Sequence, residues 1–180
     1  MRILAISGSL RATSSNGAVL ETALETLDRS TWTVTYGEIG TLPHFNQDLD
    51  GEDAIPHAAV AALRSAVAEA DALLFVSPEY AHGVPGTLKN AIDWLVSTGE
   101  LGGKPTAVIT ASPHPAGGEF AYTQLRKTLG MLHAQLVDDA CLRIPVVGTK
   151  LDRETGRVRD EATRAELTAA LSALTKSAQV

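Results

Sequence analysis

Residues 3–16 read Ile3-Leu4-Ala5-Ile6-Ser7-Gly8-Ser9-Leu10-Arg11-Ala12-Thr13-Ser14-Ser15-Asn16. An apolar run suited to a buried strand, Ile3–Ser7, ends at glycine, and Gly8–Asn16 then holds four hydroxyls, one amide and one cation. Leu20, Ala23, Leu24 and Leu27 follow at helical spacing. The unit is strand, polar loop, helix, and the rest of the chain repeats that alternation. Trp32–Tyr36 is a β-rich second run, and Gly37–Asp53 is an aperiodic loop. Pro56 is expected at the first position of a helix whose inner stripe is Val60, Leu63, Val67 and Ala70. Ala72–Ser77 is the third strand, apolar enough for burial on both faces. Leu88, Ala91, Ile92 and Leu95 mark the next helix, and Thr106–Ala111 the fourth strand. Ala121, Leu125, Leu129 and Leu132 mark another helix, before Gln135–Val137 as the start of a fifth strand. Arg143–Arg157 reads as irregular, and Leu167, Ala170, Leu171 and Leu174 as a last helix. Strands and helices alternating in this way imply an α/β fold, a doubly wound parallel sheet covered on both faces.

The wider composition agrees. The chain has 180 residues, 44% hydrophobic and 20% charged, which suits one globular domain over residues 1–180 and not a disordered or fibrous chain. A net charge of −6 argues against a nucleic-acid surface. One cysteine, Cys141, excludes a disulfide framework and a thiolate-rich metal site. Apolar stretches fall short of a membrane span, and the run after Met1 is too short for a signal core, so a cytoplasmic protein is expected, with no membrane partner.

In an open parallel sheet, ligands bind beyond the carboxyl ends of the strands. The segments after the first, third and fourth strands are all unusual. Gly8–Asn16, leading into a helix N-terminus, suits a phosphate; the alternative is an ordinary Ser/Thr-rich capped loop. Ser77-Pro78-Glu79-Tyr80-Ala81-His82-Gly83-Val84-Pro85-Gly86 fixes an irregular backbone that presents its polar groups edge-on to a flat ligand, or serves as a long connector. Ser112-Pro113-His114-Pro115-Ala116-Gly117-Gly118 is rigid, then flexible, suited to close backbone approach or to a plain strand-to-helix turn. Neither a nucleoside-triphosphatase loop nor a dinucleotide fingerprint occurs.

Gly8-Ser9-Leu10-Arg11-x-x-Ser14-x-Asn16, Pro78-Glu79-Tyr80 and Pro85-Gly86-x-Leu88-Lys89-Asn90-Ala91-Ile92-Asp93-Trp94 together resemble the NADPH-dependent FMN reductase family. The resemblance spans residues 2 to about 138 and implies a flavodoxin-like three-layer sandwich with a five-stranded sheet of order 2-1-3-4-5. It implies FMN as cofactor, NADPH or NADH as electron donor, and a quinone, azo compound, free flavin or metal oxyanion as small-molecule acceptor. By position, it implies that Ser9, Arg11, Ser14, Ser15 and Asn16 bind the FMN phosphate and that Pro78, Glu79, Tyr80 and Ala81 line the flavin ring. Ser112, Gly117 and Gly118 would close the ring's other side. Ala81 stands where many members have Asn, so any bond there must come from backbone. The family also implies a homodimer or homotetramer, with the outer side of the Lys89–Trp94 helix, and an outward Trp94, as interface.

Flavin chemistry needs positioning and electrostatics from the protein, not an acid or a nucleophile, so no catalytic side chain is expected. Backbone N–H groups of Gly117 and Gly118 would stabilise charge developing near the flavin N1. The five histidines, 44, 57, 82, 114 and 133, lack metal-ligand spacing, so no metal is expected. His82 and His114 lie on the ring-side loops and are candidates for substrate contact. Glu79 is read as an orienter of its loop rather than an acid, Asp48–Asp53 as a solvated acidic run, and Cys141 as a small buried hydrophobe rather than a reactive thiol. The rival reading is a flavodoxin-type electron carrier or a non-catalytic flavin-binding protein. Arg11 in the phosphate loop, and Tyr80 as the one aromatic of the ring loops, favour the reductase.

Overall fold

The computed structural model describes residues 1–28, 31–51, 54–152 and 154–179. Among the described residues, six parallel strands form one sheet: β1 (Arg2–Ser7), β2 (Trp32–Tyr36), β3 (Ala72–Ser77), β4 (Pro105–Ala111), β5 (Gln135–Leu136) and β6 (Leu142–Ile144). The order is β2-β1-β3-β4-β5, with β6 also paired to β4. Five α-helices among the described residues cover it: α1 (Ser15–Glu25), α2 (Ala58–Ala68), α3 (Gly86–Asp93), α4 (Glu119–Met131) and α5 (Glu161–Ser177).

Alternate residues of the central strands feed two cores, as the two-residue period of a strand requires. Leu4, Ile6, Leu73, Phe75 and Val108 meet α2, α3 and α4 through Val60, Leu63, Val67, Leu88, Ile92, Leu125 and Leu129. Ile3, Ala5, Leu74, Val76, Ala107 and Ile109 meet α1 and α5 through Val19, Leu20, Leu167 and Leu171. Ser7 pairs with Val76, and Ser77 with Thr110, so β1, β3 and β4 end in step. That register brings the three polar loops to one edge of the sheet.

Five expectations need correction. Pro56 does not open α2: His57 stands between them as the cap, its Nδ1 accepting the Ala59 N–H at 3.2 Å. The 37–53 loop is not featureless; it makes 3-10 turns at Ile39–Thr41 and Gln47–Leu49, and buries Ile39 and Leu42. Of the acidic run, Glu52 and Asp53 lie outside the described residues. Asp50 is not solvated: its carboxylate accepts from Arg64 at 2.6 Å and is only 6% exposed. The stretch after residue 142 is not wholly irregular either, since β6 pairs Ile109 with Leu142 and Ala111 with Ile144. A strand of three residues is too short to show a period.

The fifth correction concerns Trp94, which is 2% exposed and cannot be an outward interface residue. Its indole Nε1 donates to the Pro43 carbonyl at 2.9 Å, and the Asn90 Nδ2 donates to the same oxygen at 3.0 Å. Asn90 Oδ1 accepts the Phe45 N–H at 2.7 Å, and the Phe45 ring meets Trp94 edge-on at 5.1 Å. Asn90 and Trp94 stand one helical turn apart, on the side of α3 that clamps the 43–45 loop. Much of the Leu88–Trp94 motif therefore works inward, as a latch.

Candidate functional site

The loop after β1 turns on Gly8. Its N–H donates to the Val76 carbonyl at 2.8 Å, and a Cβ there would stand 2.9 Å from Ser77 Oγ and 3.0 Å from Leu88. Only glycine lets the first loop lie this close to the end of β3. Ser14 then caps α1, its hydroxyl accepting the Gly17 N–H at 2.8 Å. Among the described residues, no acceptor meets the backbone N–H groups of Ala12 through Asn16, and no carboxylate pairs with Arg11. The free N–H groups of Ser14, Ser15 and Asn16 at a helix N-terminus, beside an unpaired guanidinium, make an anion seat.

The loop after β3 is pinned to α4. Glu79 Oε2 accepts the N–H groups of Phe120 and Ala121, at 2.8 and 3.0 Å, so a carboxylate from one loop caps the helix of another. Glu79 thus orients its loop, as the sequence suggested. Tyr80 and Gly83 exchange both backbone hydrogen bonds, at 3.0 and 2.9 Å, around Ala81 and His82. Both turn residues have positive φ, 48° and 57°. That is the geometry of a primed two-residue hairpin, which favours Asn or Gly. The His82 ring stacks on Phe120 at 4.5 Å, and Gln124 Oε1 accepts the Val84 N–H at 2.8 Å.

In the third loop, Ser112 Oγ accepts the His114 N–H at 3.1 Å and the Ser112 carbonyl accepts the Val147 N–H at 3.1 Å. Gly117 and Gly118, with φ of 65° and 79°, are buried behind the loop. The Gly117 N–H is taken by the His114 carbonyl at 3.0 Å, and a Cβ on Gly118 would stand 3.2 Å from the Thr110 Cβ. Both glycines build the turn into α4. The carbonyl of His114 holds that turn, and its Nδ1 accepts the Ala116 N–H.

These loops enclose a cleft of about 280 Å³. Ser9, Arg11, Ser14, Ser15 and Asn16 line one end, Pro78, Glu79 and Tyr80 one wall, and Ser112 the other. Nine of the twelve residues expected at the ligand meet there; Ala81, Gly117 and Gly118 lie outside the lining. Ala111, Pro113, Val147 and Gly148 also line it. Val147 and Gly148 come from a 3-10 turn entered through Val146 at a positive φ of 43°, a costly conformation for a β-branched residue. The sequence carries no periodic or compositional signal for this wall. A second cavity, of about 470 Å³, is lined by Ala12, Thr13, Ser14 and Ser15 together with Glu21 and Asp152 and no cation, so it does not suit an anion.

Among the described residues, no three His, Cys, Asp or Glu side chains are grouped to hold a metal ion, and no helix is long and apolar enough to cross a membrane. Burial raises the Cys141 thiol above its ordinary pKa, a shift only partly opposed by a Val108 backbone hydrogen bond and by Arg126.

A 2-1-3-4-5 parallel sheet with an anion seat at its carboxyl edge defines a flavodoxin-like ligand-binding protein. The comparisons make this narrower. Residues 1–147 match the family model for NADPH-dependent FMN reductase, and the chain belongs to that family. It is 35% identical over 175 residues to a quinone reductase of Escherichia coli (strain K12), covering 96% of this chain and 93% of that one. It is 34% identical over 176 residues to an NAD(P)H-dependent FMN reductase of Pseudomonas aeruginosa, covering 97% and 93%. Among solved structures, the flavoenzyme NAD(P)H:(acceptor) oxidoreductase FerB of Paracoccus denitrificans superposes with a TM-score of 0.84 at 28% identity, covering 99% and 97%.

Proposed function

We propose that this protein is an FMN-dependent NAD(P)H oxidoreductase that passes a hydride from NAD(P)H through bound FMN to a small-molecule acceptor, a quinone foremost. The observation that carries the reading is the run of unpaired N–H groups from Ser14 to Asn16 beside Arg11, at one end of the cleft. The anion seat suits a phosphate dianion, which a protein of net charge −6 must neutralise locally. Ser9, Arg11, Ser14 and Ser15 hold that phosphate. Pro78, Glu79 and Tyr80 support one side of the ring, and Ser112 stands opposite, with Ala81, Gly117 and Gly118 shaping the loops.

When bound, FMN supplies the hydride-accepting centre, and donor and acceptor use its open face in turn, which gives ping-pong kinetics. The protein's part is to fix the ring against a hairpin that Glu79 and Gln124 tie to α4. Tyr80 is 50% exposed and Phe120 53%, and with His82 they offer aromatic faces beside the cleft for a planar acceptor. The names of the relatives, quinone reductase and NAD(P)H-dependent FMN reductase, support this choice of acceptor. A cytoplasmic homodimer or homotetramer completes the proposal; sedimentation that shows a monomer at micromolar concentration overturns the oligomer.

Anaerobic mixing of the FMN-loaded protein with NADPH tests the reading. The flavin absorbance bleaches within the time of a turnover and returns when a quinone is added. Flavin that binds but does not bleach marks an electron carrier instead.

A further inference from the structure

Asn16 is 4% exposed, lines the cleft and stands in the first turn of α1. The family resemblance places it with the phosphate ligands, but its orientation argues otherwise. One terminal atom lies 3.1 Å from the carbonyl oxygen of Ala111, the last residue of β4, and only an N–H approaches a carbonyl in that way. The amide nitrogen is therefore spent on Ala111, and the atom left over is Oδ1. It is buried and has no hydrogen-bond partner among the described residues. An unpaired buried acceptor is costly and calls for a donor. The serine hydroxyls nearby act as acceptors, Ser14 for the Gly17 N–H and Ser112 for the His114 N–H, and neither donates to Oδ1.

A phosphate monoester is largely a dianion at neutral pH and has only lone pairs to offer. It cannot satisfy Oδ1; a hydroxyl can. Between the ring and the phosphate of FMN runs a chain of hydroxyl-bearing carbons. We propose that Asn16 Oδ1 accepts a hydrogen bond from a hydroxyl of that chain, so that the Asn16 side chain positions the polyol and takes no part in holding the phosphate. Asn16 then joins α1, the end of β4 and the ligand, and sets how far the ring reaches along the cleft. This inference rests on the flavin reading above.

The test compares two ligands by fluorescence titration of the apoprotein: FMN, and a flavin whose N10 substituent is a 5-phosphopentyl chain, with the phosphate but without hydroxyls. Asn16→Leu keeps the volume and removes both polar atoms. It weakens FMN about tenfold and leaves the phosphopentyl flavin unchanged. Equal losses for both ligands mean that Asn16 serves the phosphate or only the fold, and overturn the proposal. No loss for either overturns it as well. If the Leu variant is unfolded by circular dichroism, Asn16→Ala is titrated with the same pair and the same outcomes decide. Should the wild-type protein bind neither ligand, the flavin reading itself has failed, which is distinct from any result on Asn16.

Discussion

Arg11 and Ala81 show two ways in which a single residue shapes this site. Arg11 has no carboxylate partner among the described residues and lines the cleft beside the free N–H groups of α1. Its loss removes a charge-assisted hydrogen bond of about 1.5–3 kcal/mol. Arg11→Ala should therefore weaken FMN roughly tenfold to a hundredfold in a fluorescence titration. Turnover at saturating FMN should stay within a few-fold, because the phosphate lies at the far end from the reacting ring. Unchanged affinity would remove Arg11 from the phosphate seat, and a collapse of turnover alone would reverse the orientation of the flavin. Ala81 is a matter of backbone. The sequence marks it only as a missing amide, whereas the structure puts it at a φ of 48° in a tight hairpin. An Ala there costs about 1 kcal/mol relative to Gly. Ala81→Gly should raise the melting temperature by a few degrees, and a lower melting temperature would show that the turn is not strained.

At the scale of elements, the loop after β2 is held by α2 and α3. Asn90 and Trp94 grip Pro43, while Arg64 donates to the Trp94 carbonyl, at 2.9 Å from Nε and 2.7 Å from Nη2, and to Asp50. Burial alone would raise the Asp50 pKa, but the hydrogen bonds from Arg64 and Ser97 and the charge of Arg64 outweigh it, and the group sits below its ordinary value of 3.8. A carboxylate with a depressed folded pKa adds stability that is fully present above its unfolded pKa. That stability is lost as pH falls through the lower, folded value. Asp50→Asn should accordingly destabilise the protein most near neutral pH, with the gap to wild type closing below about pH 3.8. Urea melts at several pH values measure this; a constant gap would mean that Asp50 acts by shape and not by charge.

Across the whole molecule, binding and folding are linked, because the anion seat exists only when β1, β3 and β4 end in register. A ligand at 100 times its Kd adds about 2.7 kcal/mol. For a chain of this length that is about 5–10 °C. FMN should give such a shift in a thermal melt, and riboflavin, which lacks the phosphate, a much smaller one. Equal shifts would place the binding energy in the ring and not in the seat.

The strand pattern, the sheet order implied by the resemblance and most of the cleft were legible in the sequence, because each rests on local patterning: buried strands are apolar without a break, and a polar, glycine-marked loop after a strand names its own position. Trp94 was misread because an indole looks the same in sequence whether it faces a partner or its own Pro43. Val147 and Gly148 were missed because they reach the cleft through β6, three residues long and without a period. Asn16 divides the two kinds of knowledge most clearly. Its place in the motif put it at the ligand, but the choice between donor and acceptor was made by the Ala111 carbonyl, ninety-five positions away, which claims the amide nitrogen. Spacing along the chain sets which residues gather at the sheet edge; which atom each one presents depends on hydrogen bonds that only tertiary packing assigns.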